Sequence, residues 1–182
     1  MSMKVVAIVG MAGAGKSQVA RVFQLHGFTT VRFGDITDWE MAKEGLKPNE
    51  ENERYVRQRL REQHGMGAYA RLNLPRIDGA LRSSAVVLDG LYSWEEYTLL
   101  KDYYGEQFST VAVWASPATR YRRLSCREER ALTPAEAAGR DIAEIEQSSK
   151  GGPIAMADFM INNEGSLGET EEQTECLIAA LR

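Results

Sequence analysis

Short apolar runs alternate along this chain with longer stretches whose apolar residues recur at helical spacing. Residues 4–9 (KVVAIV) form a continuous, largely β-branched run, the pattern of a strand buried on both faces. Four more runs predict core strands, each ending in small or polar residues: 29–33 before Gly34-Asp35, 85–88 before Asp89-Gly90, 110–115 before Ser116-Pro117, and 158–161 before Asn162-Asn163. Between them, Val19, Val22 and Phe23 place a helix over about 18–25, closed by Gly27. Further helices are predicted over 36–44, 49–64, 68–81, 94–104, 118–127, 134–147 and 167–181. This alternation predicts an α/β fold, a parallel sheet of five strands covered by helices on both faces. At 182 residues, with no internal repeat or long linker, residues 1–182 are expected to form one domain.

Between the first strand and the first helix lies Gly10-Met11-Ala12-Gly13-Ala14-Gly15-Lys16-Ser17, which fits G-x-x-x-x-G-K-[ST]. A loop poor in side chains lets successive backbone N–H groups turn inward around phosphate oxygens, and the following helix adds its positive dipole end. Gly13, Ala14, Gly15, Lys16, Ser17 and Gln18 are therefore the expected nucleotide contacts. Lys16 would reach the β- and γ-phosphates, and the Ser17 hydroxyl would bind the accompanying Mg²⁺. The alternative, a glycine-rich turn with no ligand, usually lacks the flanking strand and helix.

In open parallel sheets ligands bind beyond the carboxyl ends of the strands. There the chain presents Asp35, Asp89, Asn162, Asn163 and Glu164. Asp89, at the end of an apolar strand, is the candidate second Mg²⁺ ligand with Ser17. Gly-Asp and Asp-Gly are also common turn formers, so each carboxylate has a purely structural alternative. Two groups of arginines stand out. Arg54, Arg57 and Arg61 share one helical face, with Arg71 and Arg76 following, and fit either an anionic acceptor or a solvated helix paired with nearby glutamates. Arg120, Arg122, Arg123, Arg127, Arg130 and Arg140 suit a lid over about 125–140, because phosphoryl transfer needs charge stabilisation and exclusion of water. Among these, Arg123 and Arg127 are expected to contact nucleotide, and Arg127 and Arg130 join Lys16 and Asp35 as candidate catalytic residues.

A formal net charge of -4 argues against a dedicated nucleic-acid binder. Cys126 and Cys176, distant and in no metal spacing, suggest reduced thiols in a cytoplasmic protein, and no run approaches the length of a membrane span. His26 and His64 are expected at the surface near helix ends, and Trp39, Trp94 and Trp114 as packing groups unless an acceptor carries an aromatic base.

Across essentially the whole chain these residues resemble the P-loop nucleoside-monophosphate-kinase group, most of all the dephospho-CoA kinases and an adenylate-kinase-related set found largely in archaea. The match is carried by Gly10 to Ser17, Gly34-Asp35, Leu88-Asp89-Gly90, Ala115 to Arg120 leading to Arg123 and Arg127, Arg140-Asp141, and the stretch from Ala157 to Ser166. The resemblance implies a three-layer kinase fold with an acceptor-binding helical region at about 36–82 and a short lid. It also implies that Asn163, Glu164 and Gly165 line the purine site, that Arg123 packs against the base, and that Asp35 faces an acceptor hydroxyl. Adenylate-type kinases carry acceptor-gripping arginines where this chain has Asp38 and Tyr92, which disfavours a plain AMP acceptor. The expectation is an ATP- and Mg²⁺-dependent kinase for a small anionic acceptor that is nucleotide-like or CoA-precursor-like. The alternative is a nucleotide-dependent switch or regulatory NTPase without a small-molecule acceptor.

Overall fold

In the computed structural model residues 4–128 and 131–181 are described, with Glu50 by its backbone alone. Among them, β1 (Val5–Val9), β2 (Thr29–Arg32), β3 (Val86–Asp89), β4 (Phe108–Trp114) and β5 (Phe159–Asn162) form one wholly parallel sheet in the order β2-β3-β1-β4-β5. The helices are α1 (Lys16–Leu25), α2 (Asp35–Lys43), α3 (Glu50–His64), α4 (Ala68–Leu81), α5 (Trp94–Tyr104), α6 (Pro117–Ser125), α7 (Pro134–Glu146), α8 (Gly151–Ala155) and α9 (Leu167–Leu181). Every predicted strand and helix is present, with bounds shifted by one or two residues. The exception is α8, whose Gly-Gly-Pro start shows no helical period. Proline is tolerated in a first turn, and Pro153 is buried there while Ile154 packs against the core.

Every residue of β1 is 0% exposed, and alternation along it divides the interior into two cores. Val5, Ala7 and Val9 face α2, α3, α4 and α5 through Ile36, Val56, Tyr69, Ile77 and Leu100. Val6 and Ile8 face α1 and α9 through Val19, Phe23, Leu177 and Ile178. A smaller cluster of Ala12, Leu124 and Ala137 seats α6 and α7 against the loop after β1.

The chain leaves β1 for the β2 edge, returns through β3, and then crosses to β4 on the other side of β1. The order reverses about β1, so the crevice at its carboxyl end is the place for a ligand. Register brings Ile8, Asp89 and Arg32 level on three adjacent strands there, and Trp114 level with Asn162.

The tryptophans combine packing with exposure: Trp39, Trp94 and Trp114 are 47%, 37% and 44% exposed, yet Trp94 stacks on Tyr97 with ring centroids 5.2 Å apart and lies against Gly152. His64 is exposed as expected, and His26 lies 3.7 Å from Glu175 on the half-buried face of α1. Cys126 and Cys176 are free and exposed. None of the described helices is long and apolar enough to cross a membrane.

Candidate nucleotide site

The loop from Gly10 to Gly15 wraps the end of β1 and delivers the chain into α1. Gly15, the residue before α1, has φ +97°, and a Cβ on it would collide with the Asn163 side-chain nitrogen. Gly13, at φ +79°, lies where a Cβ would sit 2.8 Å from the Arg120 carbonyl oxygen. Both positions require glycine for conformation and for space. The first turn of α1 contains no acidic residue and no side-chain cap; the Gln18 N–H turns back to the Gly15 carbonyl at 3.0 Å, and the positive dipole end is left without a side-chain partner.

Three groups outside the loop hold its shape. Asn163 Nδ2 donates to the Ala14 carbonyl at 2.7 Å, while its Oδ1 accepts from Thr170 Oγ1 at 2.8 Å. Arg120, with its side chain 5% exposed, donates to the Ala12 carbonyl at 3.1 Å and makes two bonds of 2.7 and 2.6 Å to Asp141. Lys16 Nζ folds back on the Gly10 and Met11 carbonyls at 2.9 and 3.1 Å. Burial, then the nearby Lys150 ammonium, press the Lys16 pKa from 10.5 down to about 7. A dianionic phosphate beside it would favour the charged form again.

Ser17 Oγ donates to Asp89 Oδ2 at 3.3 Å. Burial raises the Asp89 pKa, opposed by Lys16 and the Ser17 hydrogen bond. One hydroxyl and one carboxylate at the foot of a phosphate loop are hard oxygen donors suited to Mg²⁺, which keeps several waters and takes its other oxygens from phosphates. Among the described residues no cluster of three or more His, Cys, Asp or Glu side chains forms a metal cage of its own.

On the β2 side, Asp35 accepts from Arg32 at 3.0 Å and from Arg76 at 2.8 Å, and Asp38 accepts from Arg32 at 2.6 Å. Arg76 also lies 4.5 Å from the centroid of the Trp39 ring. Arg32 was not singled out by sequence, because it precedes the Gly-Asp pair by two residues instead of following it. Of the α3 face expected from sequence, Arg57 pairs with Glu53, while Arg59, which is not part of that face, pairs with Glu40 and Glu44.

On the β5 side, Arg123 Nη2 donates to the Asn163 carbonyl at 2.8 Å, and its Nη1 is buried with no hydrogen-bond partner among the described residues. This buried guanidinium nitrogen, on the side chain that also bonds the Asn163 carbonyl, is an unmet donor. Glu164 accepts from Ser116 N–H and from Thr119 Oγ1 at 2.8 Å, pinning the corner between β4 and α6, and the Ser116 bond holds its carboxyl below the usual range. Gly165 follows it, packed against the Glu169 carboxylate. Gln18 is exposed in the first turn of α1. Arg127 is exposed just beyond α6, and Arg130 lies outside the described residues. Arg140 donates to Glu144 at 3.2 Å.

Lys150 was also missed. Its side chain is 3% exposed, and its ammonium bonds Glu144 at 2.8 Å. Its only sequence signal is a lysine in Ser-Ser-Lys-Gly-Gly, a stretch with the composition of a connector.

Comparison with known proteins bears on this site. A family model described as an AAA domain matches residues 6–147. A UPF0200 protein of Thermococcus kodakarensis is 35% identical over 178 residues, covering 96% of each chain. Among solved structures, a shikimate kinase from Bacteroides thetaiotaomicron superposes with a TM-score of 0.64 at 14% identity, covering 98% of each chain. A dephospho-CoA kinase from Campylobacter jejuni superposes with a TM-score of 0.56 at 13% identity, covering 100% of this chain and 98% of the other. The architecture is thus the three-layer fold of the P-loop kinases, with the glycine loop where that fold carries it.

Proposed function

Because the chain belongs to the AAA-domain family and to the UPF0200 proteins, we propose that it is an ATP-dependent phosphotransferase acting on a small anionic acceptor, nucleotide-like or CoA-precursor-like. The observation that carries the reading is the glycine loop: a helix start without acid, two glycines that admit no side chain, and Lys16 at its mouth. In this reading the loop amides of Gly13, Ala14, Gly15, Lys16 and Ser17, with Gln18 beside them, cradle the phosphates. Asn163, Glu164, Gly165 and the unmet donor of Arg123 border the base. Ser17 and Asp89 would hold Mg²⁺, which would supply charge neutralisation at the terminal phosphates.

The transfer itself asks little covalent chemistry of the protein. An acceptor oxygen bonds to the γ-phosphorus as the bond from phosphorus to the β,γ-bridging oxygen breaks, and the electron pair leaves with the nucleoside diphosphate. Where the acceptor is a hydroxyl, its proton passes to the Asp35 carboxylate. Lys16, Arg127 and Arg130 would offset the charge on the moving group. We further propose that residues 1–182 act as one domain, in which 36–82 hold the acceptor and 125–140 serve as lid. The Arg32, Arg76 and Trp39 group then forms the acceptor wall, with the Arg32 guanidinium held on Asp38 at the start of α2.

A second reading, a nucleotide-dependent switch, draws on Asp35, which two guanidinium groups already occupy. Purified protein with Mg·ATP, offered dephospho-CoA, nucleosides and nucleoside monophosphates, separates the two. Phosphorylated acceptor is the expected product, and Lys16→Ala is expected to abolish thermal stabilisation by nucleotide. Hydrolysis that ignores every acceptor would transfer support to the switch, and undiminished stabilisation of Lys16→Ala would refute the placement of the phosphates.

A further inference from the structure

At the turn between α7 and α8 lies a cation for which the glycine loop does not account. Ser149 has φ +48°, left-handed for a residue other than glycine. The turn carries the Lys150 N–H back to the Glu144 carbonyl at 3.1 Å and its Nζ to the Glu144 carboxylate at 2.8 Å. The Trp94 N–H reaches the Ser148 carbonyl at 3.3 Å, tying this turn to the start of α5. The ammonium also lies 5.7 Å from the centroid of the Tyr92 ring, three residues beyond Asp89. The end of β3, the start of α5 and the exit of α7 thus hold one lysine in place from three sides.

Its charge is poorly matched there. An ammonium has three donors, and among the described residues Glu144 is the one hydrogen-bond acceptor of Lys150 Nζ. Glu144 also serves Arg140 at 3.2 Å. Lys16, Arg140 and Lys150 interact electrostatically with Glu144, and Asp89 acts on Lys16 as well. Three cations thus share Glu144, Asp89 and the buried Glu96, whose pKa burial pushes up to about 7, in surroundings where the Lys150 side chain is 3% exposed. Such an arrangement leaves Lys150 short of acceptor oxygens, and a phosphate supplies them together with negative charge. If the loop amides and the start of α1 surround the inner phosphates of a polyphosphate, its far end lies toward Asp89, whose strand runs on through Gly90 to the Tyr92 ring that Lys150 approaches.

We propose that Lys150 grips the terminal phosphoryl group of a bound nucleoside triphosphate, so that the site distinguishes triphosphate from diphosphate. The inference rests on the nucleotide site proposed above and adds a contact from outside the glycine loop.

Calorimetric titration of the whole chain with Mg²⁺ and either a non-hydrolysable ATP analogue or ADP tests it. Lys150→Met is expected to weaken binding of the triphosphate analogue roughly 10- to 100-fold, the span of one charge-assisted hydrogen bond. Binding of ADP is expected to change by less than about threefold, since a uniform packing loss would touch both ligands alike. Lys150→Arg is expected to restore most of the difference. Should Lys150→Met fold poorly because Glu144 is stranded, Lys150→Met with Glu144→Gln removes both charges and is expected to show the same selective loss. Equal weakening of both nucleotides, or weakening of neither, would overturn the proposal while leaving the nucleotide site standing. Failure of the unaltered protein to bind either nucleotide would remove both.

Discussion

Asp141→Leu should be among the most damaging single changes outside the two main cores. It deletes the carboxylate that Arg120 grips through bonds of 2.7 and 2.6 Å, and it takes the acceptor of Tyr121 Oη at 3.0 Å. The Arg120 side chain is only 5% exposed, so its charge has no water to turn to. Its bonds to the Ala115 and Ala12 carbonyls remain, but both acceptors are neutral. Removing one partner of a buried ion pair costs about 3–5 kcal/mol. Unfolding entropy near 60 °C is about 2.1 cal/mol/K per residue, roughly 0.4 kcal/mol/K over this chain, so Tm should fall by about 8–13 °C. Calorimetric melts, with urea midpoints at an unchanged m-value, measure the loss. Arg120→Met combined with Asp141→Leu buries no charge and should recover most of it, a coupling that a double-mutant cycle reads directly. A Tm within 2 °C of the parent for Asp141→Leu, taken as roughly the scatter of ordinary surface changes, would refute the reasoning. So would a double variant no better than the single.

Glu96, 0% exposed, has its pKa pushed up to about 7 by burial, against the Tyr92 N–H, Arg61 and Lys150 that favour its charge. The folded state therefore binds more protons than the unfolded one between about 4.5 and 7, and stability falls as pH rises through that window, by about 3 kcal/mol in all. Glu96→Gln should flatten this dependence and exceed the parent in urea midpoint at pH 8; parallel pH profiles for the two proteins would contradict it. Asn163→Ala leaves the Ala14 carbonyl without its donor at 2.7 Å and turns the Thr170 hydroxyl from the Asn163 oxygen at 2.8 Å to the Ser166 carbonyl at 3.2 Å. The expected cost is about 1–3 kcal/mol, with a larger proportional loss of ATP-induced thermal stabilisation, and a retained nucleotide shift would argue that Asn163 does not shape the loop.

The parallel sheet, its two cores and the glycine loop were legible because they rest on local signals: continuous β-branched runs, helical periods, and glycines at fixed spacing. Asp35 and Asp89 were legible for the same reason, each closing an apolar strand. Arg32 and Lys150 were not, since their roles come from side chains that meet only once distant elements are assembled. Arg32 joins the site through register with Asp89, and Lys150 through a left-handed residue whose sequence carries no glycine to announce it. The lock between Arg120 and Asp141 spans 21 residues, and from sequence both partners resemble members of an arginine-rich surface helix and its neighbour. The burial that makes them a pair comes from the cluster of Ala12, Leu124 and Ala137 beneath them.

β1 is paired on both edges and exposes none of its side chains. Backbone amides in such a strand trade their hydrogens for deuterium only when the entire molecule opens. Any catalytic motion must therefore be made by what surrounds the glycine loop, which is fastened to this fully enclosed strand and has it as its fixed point.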